Sequence, residues 1–159
     1  MRFRILSVGK ITEPFYKAGV QEYMKRLQAY GRFELTDGLE AALPPKASEA
    51  EIRQALKKEA EKILSLIGED EWVIILDIQG KSMPSEAFAE KIRSWNESGR
   101  PRVNFVIGSS FGLDESIKKR ANAALSFSPM TFPHQLAVLI LSEQVYRAFR
   151  ILRGEPYHK

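Results

Sequence analysis

The chain has 159 residues with no cysteine and two histidines, and its 24 Lys and Arg against 20 Asp and Glu give a net charge of +4. This length predicts one domain, residues 1–159, with room for a hydrophobic core; the missing cysteines exclude disulfides, thiolate nucleophiles and cysteine-type zinc sites, and two distant histidines disfavour any metal site. The cationic excess permits a polyanionic partner, and because no apolar run approaches the roughly 20 residues that cross a bilayer, we expect a soluble cytoplasmic protein without membrane contact.

Strands and amphipathic helices alternate in the N-terminal part of the chain. Residues 2–8 and 32–36 are typical of strands. Between them a helix begins near Thr12 and Pro14, and its apolar face carries Val20, Tyr23, Met24 and Leu27. Residues 37–47 have glycine and adjacent prolines without periodicity, which predicts a mobile loop. A capping box at Ser48 and Glu51 opens a second helix, whose apolar positions are Ile52, Leu56, Ala60, Ile63 and Ile67.

The central part continues the same alternation. Residues 72–78, WVIILDI, form an unbroken apolar run of the kind found in strands buried on both faces. A turn is predicted at 79–81, a helix at 85–96, a second buried strand at 103–107 and a short helix at 114–121. This order predicts an α/β fold with a mainly parallel sheet and helices on both faces.

The last third is the most informative stretch. An apolar segment at 125–127 and a loop at 128–133 precede a long helix, whose buried face carries Val138, Leu141, Val145, Phe149 and Leu152. On its other side Arg147, Arg150 and Arg153 stand three apart, an arc suited to an RNA phosphate. The chain closes with Tyr157, His158 and Lys159, for which a frayed, solvated tail is the plain alternative.

Three loops follow predicted strands at residues 76–81, 107–113 and 127–132. In parallel sheets ligands bind beyond the carboxyl ends of strands, so a cofactor should contact all three. Gly108 and Gly112 would let backbone approach a ligand closely, although they equally fit a simple tight turn. Neither GxGxxG nor a Walker sequence is present, which disfavours pyrophosphate binding.

The motifs IGSSFGL, LSFSPMTFPHQ and SEQVYRAFRILRGEPYHK, with RILSVGK and ILDIQGK further upstream, resemble the ribosomal RNA large subunit methyltransferase H family of the SPOUT superfamily. The resemblance implies a homodimeric α/β fold with a C-terminal trefoil knot. It also implies methyl transfer from S-adenosylmethionine to N3 of a pseudouridine in large-subunit rRNA, on the assembled ribosome.

The same resemblance implies the site residues. Its cofactor contacts fall on Leu76, Gly108, Phe127, Ser128, Pro129, Met130, Thr131 and Phe132. Asp77 is not included, because a carboxylate at a strand end is as often a cap or an ion-pair partner. The RNA-side residues fall on His134, Arg147, Tyr157, His158 and Lys159.

Each RNA-side residue has a chemical role in this hypothesis. Arg147 stabilises negative charge on the base or grips a phosphate. Tyr157 stacks on the target base. His158 is the candidate general base, with the terminal carboxylate of Lys159 nearby. His134 either orients the junction between loop and helix or acts on RNA.

The sequence departs from the family pattern at three positions. Ser109 replaces a usual glycine and would be strained if that position requires a positive φ. Pro129 replaces a commonly basic residue, and Val138 stands where many members carry arginine, which removes one electrostatic contact. The apolar residues 136–141 offer a dimer contact, or else belong to the core. The rival functions are a non-catalytic ribosome-associated RNA-binding protein and a SPOUT methyltransferase with a tRNA acceptor.

Overall fold

The computed structural model describes residues 2–159, and within them five strands and five helices alternate. The strands are β1 (Arg2–Ser7), β2 (Arg32–Thr36), β3 (Trp72–Lys81), β4 (Val103–Ile107) and β5 (Ala123–Leu125). The helices are α1 (Pro14–Leu27), α2 (Glu49–Leu66), α3 (Ser85–Glu97), α4 (Glu115–Arg120) and α5 (His134–Leu152). One sheet has the order β2-β1-β4-β3-β5, and all its pairings are parallel. The predicted α/β class is therefore confirmed.

Helices cover both faces of the sheet, as the sequence predicts. Alternate residues of a strand point to opposite faces, and in β4 Phe105 joins one apolar cluster whereas Val106 joins the other. The first cluster lies under α1, α3 and α5, and the second under α2 and α4. Phe105 and Val106 are both 0% exposed, which explains the continuous apolar runs of the central strands.

The local helix signals are confirmed. Ser48 Oγ accepts a hydrogen bond from the Glu51 amide at 3.1 Å, and Glu51 Oε1 accepts one from the Ser48 amide at 3.1 Å, so the capping box is complete. Residues 37–47 contain no helix or strand, and the Leu39 amide donates to the Val8 carbonyl at 2.8 Å.

The predicted turn at residues 79–81 is wrong, because these residues continue β3. A register shift after Leu76 lets Lys81 pair with Leu125 of β5. A Cβ on Gly80 would lie 2.7 Å from the backbone carbon of Ala124, so only glycine permits this close approach of the two strands. The apolar segment at 125–127 shares only Leu125 with β5, because that strand covers Ala123–Leu125.

Helix α5 buries the predicted face through Val138, Leu141, Val145 and Phe149. Because Val138 is 0% exposed, the expectation that an RNA contact is lost there is wrong: this position belongs to the core. Strand order does not determine how the chain is threaded, so the trefoil knot stays a prediction. Within residues 2–159 no helix has the length and apolarity needed to span a membrane.

Candidate active site

A cavity of about 640 Å³ lies beyond the carboxyl ends of β3, β4 and β5. Its walls come from the three segments that the strand-end argument selected, of which residues 76–78 belong to β3 and the other two are loops. Its lining includes all the predicted cofactor residues except the exposed Pro129: Leu76, Gly108, Phe127, Ser128, Met130, Thr131 and Phe132. The sequence reasoning missed other lining residues, among them Ser126, Lys118 and Ala137. Asp77 also lines the cavity, and its Oδ1 accepts the Gln79 amide at 2.9 Å, the local capping role considered for it.

The glycine loop owes its shape to a close backbone contact. A Cβ on Gly108 would lie 2.7 Å from the Gly112 carbonyl oxygen and 2.9 Å from Leu113 Cγ. Gly112 has φ +86°, and its amide donates to the Ser109 carbonyl at 2.9 Å. Ser109 itself has no positive φ, since among residues 2–159 only glycines do. The strain anticipated at Ser109 is therefore absent.

The loop at residues 126–133 is held by hydrogen bonds of its own serine hydroxyls. The buried Ser126 hydroxyl donates to the Ser128 carbonyl at 3.2 Å, and Ser128 Oγ accepts the Met130 amide at 3.0 Å. Met130 is 74% exposed at the cavity rim. The loop thus presents hydroxyls and apolar side chains to the cavity without a regular element.

His134 lies where this loop meets α5. Its ring packs against Gly9, where a Cβ would lie 2.3 Å from His134 Nε2, and that nitrogen donates to the Lys10 carbonyl at 3.3 Å. The same side chain lines the cavity. These contacts place His134 at the junction between the loop and α5.

The C-terminal tail is docked on the protein, so the frayed-tail alternative is wrong. The Tyr157 ring meets Tyr146 edge-on, with centroids 5.0 Å apart, and the Arg147 guanidinium lies 4.7 Å above the Tyr157 ring. The Tyr157 hydroxyl donates to Glu143 Oε1 at 3.0 Å, and Arg147 Nη2 donates to the same oxygen at 2.5 Å. Burial, followed by hydrogen bonds with Tyr23 and Glu143, raises the pKa of Tyr157 well above its usual range.

The contacts of His158 define its tautomer. Arg147 is always a donor, so His158 Nδ1 accepts from Arg147 Nη1 at 3.2 Å and the Nε2–H group donates to Glu86 Oε1 at 2.7 Å. The pKa of Glu86 is lowered first by its own backbone amide in the first turn of α3 and then by His158. The Nδ1 lone pair of His158 consequently points at the Arg147 guanidinium. This hydrogen bond must break before Nδ1 can accept a proton.

Of the three arginines predicted to form an arc suited to an RNA phosphate, two are paired with carboxylates. Arg147 pairs with Glu143, and Arg150 pairs with Glu155 at 2.5 Å. The hydrogen bond from Glu143 is the main reason that the pKa of Arg147 is raised. Arg153 lies with its guanidinium 4.5 Å from the centroid of the Tyr30 ring. Two of these partners, Glu143 and Glu155, lie within five residues of their arginines, and only Tyr30 comes from a distant part of the chain.

The cavity and the tail form two separate groups within one chain. His134 and Arg147 stand 13 positions apart on α5, and at 1.5 Å per residue this is about 20 Å. Sequence reasoning missed three partners of the tail, namely Glu143, Glu86 and Tyr23. Only Glu143 had a signal, because it precedes Arg147 by four residues on the helix.

Comparisons with known proteins agree with this architecture. A family model for predicted SPOUT methyltransferases matches residues 1–158. The chain belongs to the SPOUT methyltransferase family. Two solved structures share its fold: a probable methylase family protein from Haemophilus influenzae (TM-score 0.56, 14% identity, 99% of this chain and 70% of that one) and the tRNA (m1G37) methyltransferase from Aquifex aeolicus (TM-score 0.55, 15% identity, 92% and 70%).

Sequence relatives narrow the family further. The chain is 51% identical to the ribosomal RNA large subunit methyltransferase H of Syntrophomonas wolfei, 49% to that of Bacillus pumilus and 47% to that of Streptococcus suis. Each alignment covers 100% of both chains. The resemblance to the ribosomal RNA large subunit methyltransferase H family is thereby confirmed.

Proposed function

We propose that this protein is a single-domain, cytoplasmic methyltransferase that modifies N3 of a pseudouridine in the large-subunit rRNA of the assembled ribosome, with S-adenosylmethionine as methyl donor. The observation that carries the proposal is the strand-end cavity, found in a chain that aligns end to end with relatives named ribosomal RNA large subunit methyltransferase H.

The cavity has the size and chemistry for this cofactor. Pockets for small molecules typically measure about 300–1,000 Å³ and combine apolar walls with a few polar groups. Here Leu76 and Phe127 supply apolar wall, and the loops at 108–113 and 126–133 supply backbone amides and carbonyls. The missing Cβ of Gly108 keeps the second loop closed on itself at the cavity wall. When bound, S-adenosylmethionine supplies an electrophilic methyl group.

The chain's own residues must orient the base and help N3 to lose its proton. Arg147 carries the positive charge that would stabilise the resulting anion. His158 Nδ1 is the candidate proton acceptor, and substrate would have to displace Arg147 from it. Arg147 could remain anchored through Glu143 while its Nη1 turns toward the base. The same exchange would therefore free His158 Nδ1 to accept a proton and direct the Arg147 guanidinium toward the substrate base.

A homodimer would bring the two separated groups together. Leu136 and Ile140 stand four residues apart on α5, are only partly buried, and belong to neither apolar cluster of residues 2–159. A two-fold axis across this face would run one α5 against its copy. The C-terminal end of one α5, next to its tail, would then approach the N-terminal end of the other α5, next to its cavity. Within one chain these two ends are roughly 20 Å apart.

Transfer of a labelled methyl group to assembled ribosomes tests the activity. We expect the intact protein to label large-subunit rRNA at a pseudouridine and a chain lacking residues 157–159 to be inactive while still binding S-adenosylmethionine. Ribosomes that carry the unmethylated pseudouridine are required, and ribosomes already methylated are the matched control. Ribosome binding without transfer would favour the non-catalytic alternative, and labelled tRNA would favour the other acceptor.

Subunit mixing tests the shared site. The tail-deleted chain is expected to be inactive because it lacks the tail, and a Gly108→Ala chain to be nearly inactive at S-adenosylmethionine concentrations well below its weakened Kd because its cavity is distorted. After subunit exchange half of the dimers are mixed, and each has one complete site of two, so about a quarter of wild-type activity should return. No recovery, with mixed dimers verified by mass, would contradict a site shared between subunits.

A further inference from the structure

The turn between α5 and the tail is held by three polar side chains, Tyr30, Arg150 and Glu155, which we name the tail clamp. Glu155 Oε2 accepts from the Tyr30 hydroxyl at 2.5 Å and from Arg150 Nη1 at 2.5 Å. Arg150 Nη1 also donates to the Tyr30 hydroxyl at 3.3 Å, and Nη2 donates to the Pro156 carbonyl at 2.9 Å. The Glu155 carboxylate thus connects Arg150 of α5 with Tyr30 after α1, and Arg150 in turn holds the carbonyl of Pro156, the residue that precedes Tyr157.

The tail clamp is fixed to the core. The Tyr30 ring stacks on Phe149 with centroids 5.4 Å apart, and Phe149 is 4% exposed. The Tyr30 amide donates to the Leu27 carbonyl at 2.9 Å, which ties it to the end of α1. The clamp therefore fixes the last residues of the chain relative to the sheet and its helices.

The backbone of the turn reinforces the same position. The Glu155 amide donates to the Arg150 carbonyl at 2.9 Å, and the Gly154 amide donates to the Ile151 carbonyl at 3.0 Å. Gly154 adopts φ +63°, the left-handed conformation that ends many helices. Tyr157 and His158 follow Glu155 by only two and three residues, so the direction in which the chain leaves Glu155 fixes where they can lie.

The clamp is charged under ordinary conditions. The Tyr30 hydroxyl and then the positive charges of Arg150 and Arg153 lower the pKa of Glu155. Its hydrogen bond with Arg150 is thus of the charge-assisted kind, which is shorter and more directional than a neutral one. A neutral amide at position 155 would keep the shape of the side chain and lose this character.

We propose that the tail clamp is a positioning device for the transfer reaction: Tyr30, Arg150 and Glu155 hold Tyr157, His158 and Lys159 where the shared active site needs them. The clamp residues do not touch substrate; they act through the tail. This inference rests on the proposed function, in which the tail completes the site of the second subunit. Misplacing a reacting group by about 1 Å can lower a rate roughly a hundredfold, so loss of a clamp contact should affect turnover before it affects cofactor binding.

The test compares Glu155→Gln and Tyr30→Phe with the wild-type protein. We expect Glu155→Gln to lower kcat at least about tenfold while the KM and Kd for S-adenosylmethionine stay within about twofold, because neither the clamp nor the tail lines the cavity. The double variant should lose little more than Glu155→Gln alone, because both changes break one contact network. Glu90→Gln is the matched control: it removes the same charge from the exposed Arg93–Glu90 pair on α3 and should keep wild-type kinetics.

The second readout follows the tail without any catalysis. The chain has only two histidines, so the ring resonances of His134 and His158 can be separated with one variant of each. In Glu155→Gln the His158 resonance should move toward that of an unstructured histidine, while the His134 resonance stays in place.

Each outcome decides a separate question. Wild-type kcat in Glu155→Gln would overturn the clamp's role, and so would a lower kcat with the His158 resonance unmoved. Weakened cofactor binding together with a shifted His134 resonance would mean general damage and would also overturn it. If the wild-type protein transfers no methyl group, the proposed function fails, and the His158 resonance alone shows whether the clamp holds the tail.

Discussion

Replacing Gly108 by alanine tests whether the glycine loop is built around one close contact. The new Cβ would lie 2.7 Å from the Gly112 carbonyl oxygen, at least half an ångström inside a normal carbon–oxygen contact of roughly 3.3 Å. The oxygen belongs to backbone whose φ of +86° already depends on glycine, so it cannot rotate away as a flexible side chain would. Overpacking of this kind costs about 1–3 kcal/mol.

We therefore expect Gly108→Ala to lower the thermal midpoint by roughly 2–12 °C, at about 2–4 °C per kcal/mol for a chain of this size. The distorted wall should also weaken S-adenosylmethionine binding at least about tenfold, which corresponds to about 1.4 kcal/mol. Calorimetric titration and thermal unfolding measure the two effects, with Lys119→Ala on α4 as a control, since Lys119 is exposed and does not line the cavity. An alanine variant with wild-type affinity and midpoint would refute the reasoning about this loop.

Three further predictions concern other parts of the chain. Burial raises the pKa of Glu59, so folding favours its protonated form; the stabilising contribution is present below the unfolded pKa of about 4.3 and is lost as the pH rises through the higher folded value. Glu59→Gln should accordingly stabilise the protein at pH 7 by about 1 kcal/mol in urea unfolding and by less at pH 4, and equal effects at both pH values would contradict this. His158→Ala should reduce kcat at least about a hundredfold without changing cofactor affinity, whereas undiminished transfer would remove His158 as the base. Ser48→Ala should cost about 1 kcal/mol through loss of the capping box at α2, and an unchanged urea midpoint would show that the cap contributes nothing.

Sequence patterns predicted those features that depend on neighbours in the chain. The helical spacing of Val138, Leu141 and Val145 identified the buried face of α5, and the pair Ser48 and Glu51 identified its own cap. The rule that ligands bind at strand ends selected three loops, and the fold brings them to one cavity. Local periodicity suffices here because helix and strand geometry fix which residues share a face.

The same reasoning failed where a distant segment decides the outcome. Residues 79–81 carry a turn signature, yet Gly80 continues β3 because β5 lies directly against it. Arg150 was predicted to belong to an arc suited to an RNA phosphate, yet Tyr30, 120 positions away, contributes to the network that engages it. Val138 was interpreted as a lost charge, although the site is fully enclosed by the core.

The sequence by itself determined the α/β class, the family and the candidate residues, because strand and helix periods and the terminal motif are written in consecutive residues. Only the tertiary structure decided that Glu86 faces His158 and that Tyr23 and Glu143 hold Tyr157. It also decided that the tail and the cavity stand at opposite parts of α5. These contacts join residues as far as 134 positions apart. No local pattern predicts them, because contacts between separate elements have no characteristic spacing in the sequence.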